Sequence, residues 1–196
     1  MRAVAGTVFL ISPARCASDR ARRLLAARGE LGARLWEHSA PLGELFTWLS
    51  SLYFRGKLTY ARRFGRALIM APGLGLRAPE LMVSAAMFRT MGTIEVESAA
   101  FVEPLVRDAR LIAAEEDTRV VLLGSIATGK YLTSLLDVLG ERLLFPETFV
   151  GRGDMSRGGL LLRAAASGDE LAYRPVVGAT LTGARPAKLG PSRRAR

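Results

Sequence analysis

Continuous apolar runs alternate along the chain with stretches whose apolar residues recur every three or four positions. Residues 4–11, 67–71 and 119–123 contain runs of the first kind, which are typical of strands buried on both faces of a sheet. Residues 42–52 and 98–116 show the second spacing, which predicts helices with one apolar face. Strands that alternate with helices predict an α/β fold.

Weaker signals complete the pattern. They predict helices after Ser18 and over 131–139, and a short strand over 94–97. Residues 160–164 and 171–177 are predicted to form a hairpin or two separate late strands. Short connections between strands and helices predict a three-layer sandwich with a mainly parallel sheet, similar in layout to a Rossmann fold.

The domain organisation follows from length and composition. The chain has 196 residues, which is within the range of one domain with one core. We predict a single α/β domain over 1–179 and a loosely ordered basic tail over 180–196, because the tail is rich in Gly, Pro, Arg and Lys. Parallel sheets bind ligands at the carboxyl ends of their strands. The loops expected at that edge are 12–20, 72–75, 124–130 and 151–159.

Composition excludes several classes of protein. No apolar run approaches the roughly 20 residues of a membrane span, and the first residues lack a signal-peptide cleavage pattern, so we expect a cytoplasmic protein that does not enter a membrane. Cys16 is the single cysteine and His38 the single histidine. A disulfide framework, a four-thiolate zinc site and a Ser-His-Asp triad are therefore not expected, and we predict no metal and no cofactor.

The net charge of +10 comes almost entirely from arginine. An arginine bias can reflect a GC-rich genome and a solvated surface. It can equally indicate an anionic partner such as a nucleotide or a nucleic acid, since guanidinium groups match phosphate oxygens and stack on bases. Both interpretations stay open.

The segment from Gly124 to Lys130 fits the spacing G-x-x-x-x-G-K between a predicted strand and a predicted helix. Backbone N–H groups at such a turn can bind phosphate, with Ser125, Thr128 and the lysine as added donors. Tyr131 follows where a phosphate-binding loop carries the Ser or Thr that holds magnesium. A degenerate phosphotransferase is therefore an alternative, beside a general anion site and a plain glycine-bounded turn.

A second candidate site is the glycine-rich stretch 151–159. Arg152 and Arg157 could hold phosphate, Ser156 could donate a hydrogen bond, and Asp154 could act as a general base or orient a water molecule. The alternative is a loop whose aspartate pairs with its own arginines.

A third candidate lies in the helical segment 53–64, which interleaves aromatic residues with cations. Tyr53, Arg55, Lys57 and Tyr60 could stack bases and neutralise phosphates. The alternative is an amphipathic helix with core aromatics and a basic solvent face. Gly56 is expected to interrupt this helix.

Four stretches resemble an uncharacterised bacterial protein family. They are LISPA at 10–14, LYFRGKL at 52–58, LLGSIAT at 122–128 and FVGRGDMSRGG at 149–159. The order of elements is also similar to that of the YaaA-like peroxide-stress proteins, and this resemblance implies an association with DNA or nucleotides. The strand end at Leu123-Gly124 is similar to uracil-DNA glycosylases, although their His-Pro-Ser segment is missing here.

Together these observations predict a nucleotide- or nucleic-acid-binding protein that could act on a base or its glycosidic bond. A non-catalytic protein whose basic tail docks on an acidic partner is a further alternative. Asp154 is the expected catalytic residue. The expected ligand-binding residues are Arg15, Gly73, Gly75, Ser125, Thr128, Lys130, Arg152, Ser156 and Arg157, with Tyr53, Arg55, Lys57 and Tyr60 facing a nucleic acid.

Overall fold

A computed structural model describes residues 6–126, 129, 131–180, 182–184, 186–187 and 190. The strands are β1 (Gly6–Ile11), β2 (Ala40–Pro41), β3 (Arg66–Ala71), β4 (Gly75–Arg77), β5 (Met82–Val83), β6 (Thr118–Leu123), β7 (Leu143–Pro146) and β8 (Tyr173–Pro175). The helices are α1 (Asp19–Leu25), α2 (Gly29–Glu37), α3 (Leu42–Phe64), α4 (Ala85–Thr93), α5 (Ala99–Ala113), α6 (Leu132–Leu139) and α7 (Asp154–Ser167).

Six strands form one sheet in the order β4-β3-β1-β6-β7-β8, and β2 pairs with β5 in a separate small sheet. The central strands β3, β1, β6 and β7 run parallel, whereas β4 and β8 join antiparallel at the edges. Phe9, Leu10 and Ile11 in β1 are completely buried, as their continuous apolar run predicted. The expected α/β class with a mainly parallel sheet is confirmed.

Helix α3 packs along α7 and against β1 and β3, while α5 packs against α6 and β4. The chain leaves helical geometry inside α3 at Ser51, where φ is 46° and ψ is −121°. The predicted interruption at Gly56 is wrong. Gly56 lies within the helical part of α3 that follows Ser51. Its missing side chain allows α7 to approach closely, since a Cβ at this position would lie 2.6 Å from the carbonyl oxygen of Gly158.

Two predicted strands are wrong. Residues 160–164 belong to α7, in which the buried residues Arg157, Leu161 and Ala164 recur at helical spacing. The apolar run was short enough to suit either a strand or a helix, and packing against α3 decided for the helix. Residues 94–97 connect α4 to α5 without forming a strand. Of the late elements, β8 forms, but its partner is β7.

Within the described ranges, no helix is long and apolar enough to cross a membrane. The division into a domain over 1–179 and a tail over 180–196 stays a prediction.

Candidate functional site

Strands β1, β3 and β6 end at the same edge of the sheet, because they are parallel neighbours. A cavity of about 680 Å³ opens at that edge. Its walls come from residues 12–17 after β1, Pro72 after β3, Ser125 after β6, the middle of α3, the segment 91–97 and the start of α7. We call it the carboxyl-edge cavity. Its position is the one at which parallel sheets bind ligands.

Lys57 lies in the wall of the carboxyl-edge cavity and is only 2% exposed. Its Nζ donates to the carbonyl oxygen of Ser12 at 3.0 Å and lies 2.8 Å from Ser12 Oγ. The rings of Tyr53 and Phe54 are 4.5 and 5.0 Å from Nζ. Burial disfavours the charged amine and lowers its pKa to about 7, although the carboxylate of Asp154 acts in the opposite direction.

Ser12 is buried at the end of β1, and its backbone N–H donates to the carbonyl oxygen of Leu123 in β6. The hydroxyl of Tyr131 also lies near Ser12 and accepts a hydrogen bond from the N–H of Ser125 at 3.0 Å. Burial raises the pKa of Tyr131, and a side-chain hydrogen bond with Ser12 acts against that rise. Gly124 makes room for this arrangement, since a Cβ there would lie 2.5 Å from Tyr131 Oη and 2.8 Å from Ser12 Cβ.

Tyr53 is 7% exposed, and its hydroxyl makes no hydrogen bond of normal geometry among the described residues, although the guanidinium of Arg157 lies near it. Burial raises the pKa of this hydroxyl, while the nearby Arg157 charge lowers it. A buried polar group without a partner costs about 1–3 kcal/mol. The Tyr53 hydroxyl, in the wall of the carboxyl-edge cavity, is therefore ready to bond to a ligand.

Charged side chains of both signs line the carboxyl-edge cavity. Arg15 is exposed, and Glu95 and Glu97 come from the segment between α4 and α5. The side chain of Asp154 is 69% exposed, and its Oδ1 lies 3.9 Å from the guanidinium of Arg157. Asp154 thus has a carboxylate available to solvent and to a ligand, and Arg15 is a cation on the same surface.

The glycine-rich stretch 151–159 is not one loop. Asp154 begins α7, so everything after Gly153 is helical. Arg157 is buried and donates to the carbonyl oxygen of Phe149 from Nε at 3.3 Å and Nη2 at 3.1 Å. Arg152 donates to Thr148 and to Ser156. Of the residues expected here, Asp154 is the one that lines the carboxyl-edge cavity.

The two glycines after β3 have different surroundings. Gly73 has φ of 78°, and a Cβ there would lie 2.5 Å from the side chain of Ile94, which lines the carboxyl-edge cavity. Gly75 has φ of 89° and packs against Pro104 and Asp108 on α5. Gly73 therefore shapes the cavity wall from behind, whereas Gly75 belongs to the contact between β4 and α5.

The Gly124–Lys130 turn is described only in part, since Thr128 and Lys130 lie outside the described residues. Ser125 lines the carboxyl-edge cavity, but its N–H is already bonded to Tyr131. A phosphate-binding loop needs such N–H groups free to point at the phosphate. This observation counts against the phosphotransferase alternative.

The aromatic and basic residues of α3 do not form the exposed stacking surface that was expected. Tyr60 is completely buried and bonds to the Tyr173 hydroxyl at 2.6 Å and to the N–H of Leu171. Tyr53 and Lys57 are buried as well, because this side of α3 packs against the sheet and α7. Of the four residues expected to face a nucleic acid, Arg55 alone is exposed.

Nothing in the sequence pointed to Ser12 as a site residue or to a favourable role for Tyr131 at the site. A serine directly after a buried strand was the available signal, but serines are common in loops. The long-range partner Lys57 lies 45 residues away, and nothing in the spacing indicates the contact.

Two other hollows, of about 450 and 390 Å³, lie between α5 and α6 and along α1. Neither brings strand ends together. Cys16 also lines the carboxyl-edge cavity, but its thiol is buried, which raises its pKa to about 12. A thiol of this kind is unreactive at neutral pH. No group of three or more His, Cys, Asp or Glu in the described part of the chain could hold a metal ion.

No protein-family model, curated protein or solved structure matches the chain. The family resemblances inferred from the sequence therefore stay predictions.

Proposed function

We propose that the carboxyl-edge cavity binds a nucleotide with its base turned inward and its phosphate at the mouth. A cavity of about 680 Å³ is within the range of roughly 300–1,000 Å³ that small-molecule sites occupy. A single mononucleotide fits this cavity better than a continuous strand, because the aromatic residues of α3 do not form an exposed stacking surface.

The unpartnered hydroxyl of Tyr53 is the observation that carries the proposal. It lies in the cavity wall beside Lys57, whose amine can donate to a carbonyl oxygen. A nucleobase offers carbonyl and N–H groups along one edge of a flat ring. Such a ring would satisfy the orphan hydroxyl, which an apolar ligand could not do.

The residues nearer the mouth suit the rest of a nucleotide. The Arg15 guanidinium can pair with a phosphate, and the carboxylates of Glu95 and Glu97 can accept hydrogen bonds from sugar hydroxyls. Asp154 supplies an exposed carboxylate. If the protein acts on the glycosidic bond, this carboxylate would orient a water molecule or stabilise the positive charge that develops on the sugar.

A three-layer, Rossmann-like arrangement is part of the same proposal. The connections from β1 to β3 and from β3 to β6 run in opposite directions across the sheet. Right-handed crossovers would then place α3 and α5 on opposite faces. The packing of α7 on α3 and of α6 on α5 supports this layout.

The test is calorimetric titration with 5′-nucleoside monophosphates, the corresponding nucleosides and ribose 5-phosphate. We expect at least one nucleotide to bind more tightly than its nucleoside or ribose 5-phosphate. Tyr53→Phe should weaken base-containing ligands about tenfold, the value of one hydrogen bond to a buried group, and leave ribose 5-phosphate unchanged. Arg15→Gln should weaken only the phosphorylated ligands.

Arg55→Gln is the matched control, because Arg55 is exposed on the same helix outside the cavity. Its affinities should equal those of the wild type. Absence of nucleotide binding, or equal affinities in Tyr53→Phe and wild type, would contradict the proposal. Release of free base from a bound nucleotide, if detected by chromatography, should be lost in Asp154→Asn.

A further inference from the structure

We propose that Ser12 is a nucleophile, that Lys57 is the base that takes its proton, and that Ser12 accepts an acyl group from an ester in the carboxyl-edge cavity. This activity goes beyond nucleotide binding and does not depend on it. A serine hydroxyl is a weak nucleophile unless an adjacent base accepts its proton.

The geometry between the two side chains is that of a nucleophile and its base. Lys57 Nζ lies 2.8 Å from Ser12 Oγ, and the same nitrogen donates to the Ser12 carbonyl oxygen at 3.0 Å. The second bond fixes the amine in place. A neutral amine so held has a lone pair left, which can accept the hydrogen of the Ser12 hydroxyl. Lysine serves as the base for serine in several unrelated enzyme folds.

The surroundings favour the neutral form of the amine. Lys57 is buried, and no carboxylate of the described residues forms an ion pair with it. Burial outweighs the more distant Asp154 carboxylate and lowers the pKa of Lys57 to about 7. The titratable and charged groups of the surrounding elements are Tyr53, Asp154, Arg157, Tyr131, Arg15, Cys16, Glu95 and Glu97.

A purely structural role of Ser12 and Lys57 does not explain why one side of this pair faces a cavity. Ser12 and Lys57 both line the carboxyl-edge cavity, with Tyr53 and Tyr131 beside them. A lysine that only capped a backbone carbonyl would not need a cavity in front of it. The strand end also holds Ser12 rigidly, because its N–H is bonded to Leu123.

The reaction needs only Ser12, Lys57, the ester and a water molecule. Oγ of Ser12 attacks the carbonyl carbon while its proton moves to Lys57 Nζ, and the carbonyl electrons pass to oxygen. When the oxyanion collapses, the bond to the alcohol breaks and Lys57 returns the proton to the leaving oxygen. Water then hydrolyses the acyl-serine by the same proton route.

An acyl carbon fits this site better than a phosphorus atom. The tetrahedral intermediate carries one negative charge, which the newly protonated Lys57 can stabilise from the adjacent position. Phosphoryl transfer spreads charge over several oxygens and requires several cations around them. Among the described residues, Lys57 is the one cation that contacts Ser12.

The experiment uses p-nitrophenyl acetate with the full chain. We expect a burst of p-nitrophenolate of about one per chain, as an acyl-enzyme accumulates. The protein should gain the mass of one acetyl group, located on Ser12 by peptide mapping. The burst rate should rise with pH and level off above the pKa of Lys57, about 7.

Four variants separate this role from others. Ser12→Ala should give no burst, and Lys57→Met should slow it at least about a hundredfold, the usual effect of a general base. Lys57→Arg keeps a permanent charge and should be equally slow. Ser134→Ala removes a serine of α6 outside the carboxyl-edge cavity and should react like the wild type. Circular dichroism checks that each variant is folded.

An acetyl group on Lys57 would overturn the assignment, because the lysine would then be the nucleophile. A burst that survives Ser12→Ala, an unmodified wild type, or a Lys57→Arg variant as fast as the wild type would also overturn it. Nucleotide binding is measured separately by calorimetry without ester, so the failure of either proposal leaves the other standing.

Discussion

Gly56 and Gly158 meet where α3 crosses α7, and neither position has room for a side chain. A Cβ on Gly56 would lie 2.6 Å from the carbonyl oxygen of Gly158, and a Cβ on Gly158 would lie 2.8 Å from that of Leu52. The contact is next to Lys57 in one helix and Arg157 in the other. The close crossing therefore fixes how α3 presents Lys57 to the carboxyl-edge cavity, while Arg157 stays buried against Phe149.

The first prediction concerns this crossing. Gly158→Ala should lower the free energy of unfolding by about 1–3 kcal/mol, the usual cost of an extra methyl group in a tightly packed contact. Urea denaturation measures the change. Gly6→Ala is the control, because no atom lies within 4 Å of a Cβ built there. Equal stabilities of Gly158→Ala and Gly6→Ala would show that the helices separate at no cost.

The second prediction concerns the orphan hydroxyl of Tyr53. Tyr53→Phe removes a buried polar group that has no partner in the described part of the chain, so the ligand-free protein should become more stable by about 1 kcal/mol. Tyr60→Phe is the matched comparison. Its hydroxyl bonds to Tyr173 and Leu171, and its loss should destabilise. If both variants lose stability equally, Tyr53 has a partner in solution.

The third prediction is a pH dependence. The pKa of Lys57 falls from its ordinary 10.5 to about 7 in the folded protein. Between these values the unfolded chain binds the proton and the folded protein does not, so stability rises with pH. The wild-type free energy of unfolding should therefore increase from pH 7 to pH 9 relative to that of Lys57→Met. Parallel curves for the two proteins would mean that Lys57 keeps its ordinary pKa.

The comparison of unfolding free energies ends at pH 9 because the Cys16 thiol also titrates above that pH. Burial raises its pKa from 9.0 to about 12. Above pH 9 the folded protein keeps this proton longer than the unfolded chain does, so the thiol opposes the rise that Lys57 causes.

The fourth prediction concerns the edge of the sheet. Asp108 is nearly buried and accepts hydrogen bonds from the N–H of Leu76, from Arg77 and from Arg107. Burial raises the pKa of this carboxyl, but these hydrogen bonds outweigh burial and hold the pKa below its ordinary value. Asp108→Asn replaces a nearly buried carboxylate that bonds to two partly exposed arginines and should cost about 1–3 kcal/mol in thermal or urea unfolding.

Glu80→Gln is the control for Asp108→Asn. Glu80 pairs with Arg62, but the two side chains are 68% and 52% exposed. Exposed ion pairs contribute about 0–1 kcal/mol. A loss in Glu80→Gln as large as that in Asp108→Asn would refute the distinction between the two pairs.

The sequence by itself determined three of the four central strands, β1, β3 and β6, but not β7. It also predicted a candidate site at the edge where these three strands end. The apolar runs ending at Ile11, Ala71 and Leu123 are buried on both faces in any parallel sheet, so their burial requires no knowledge of the neighbours. Their order along the chain then places their carboxyl ends at one edge. Arg15, Ser125 and Asp154 were accordingly expected at the site, and all three line the carboxyl-edge cavity.

Only the tertiary structure decided which side chains enter the cavity and which are used for packing. Lys57 and Ser12 are 45 residues apart, and their contact exists because the crossing of α3 and α7 turns one face of α3 toward the end of β1. Arg157 was expected to bind phosphate, but its guanidinium donates to the carbonyl oxygen of Phe149 and lies over the Phe149 ring. The spacing of apolar residues predicts which face of a helix or strand is buried. It does not predict which distant chain segment packs against that face, because this depends on the packing of the whole molecule.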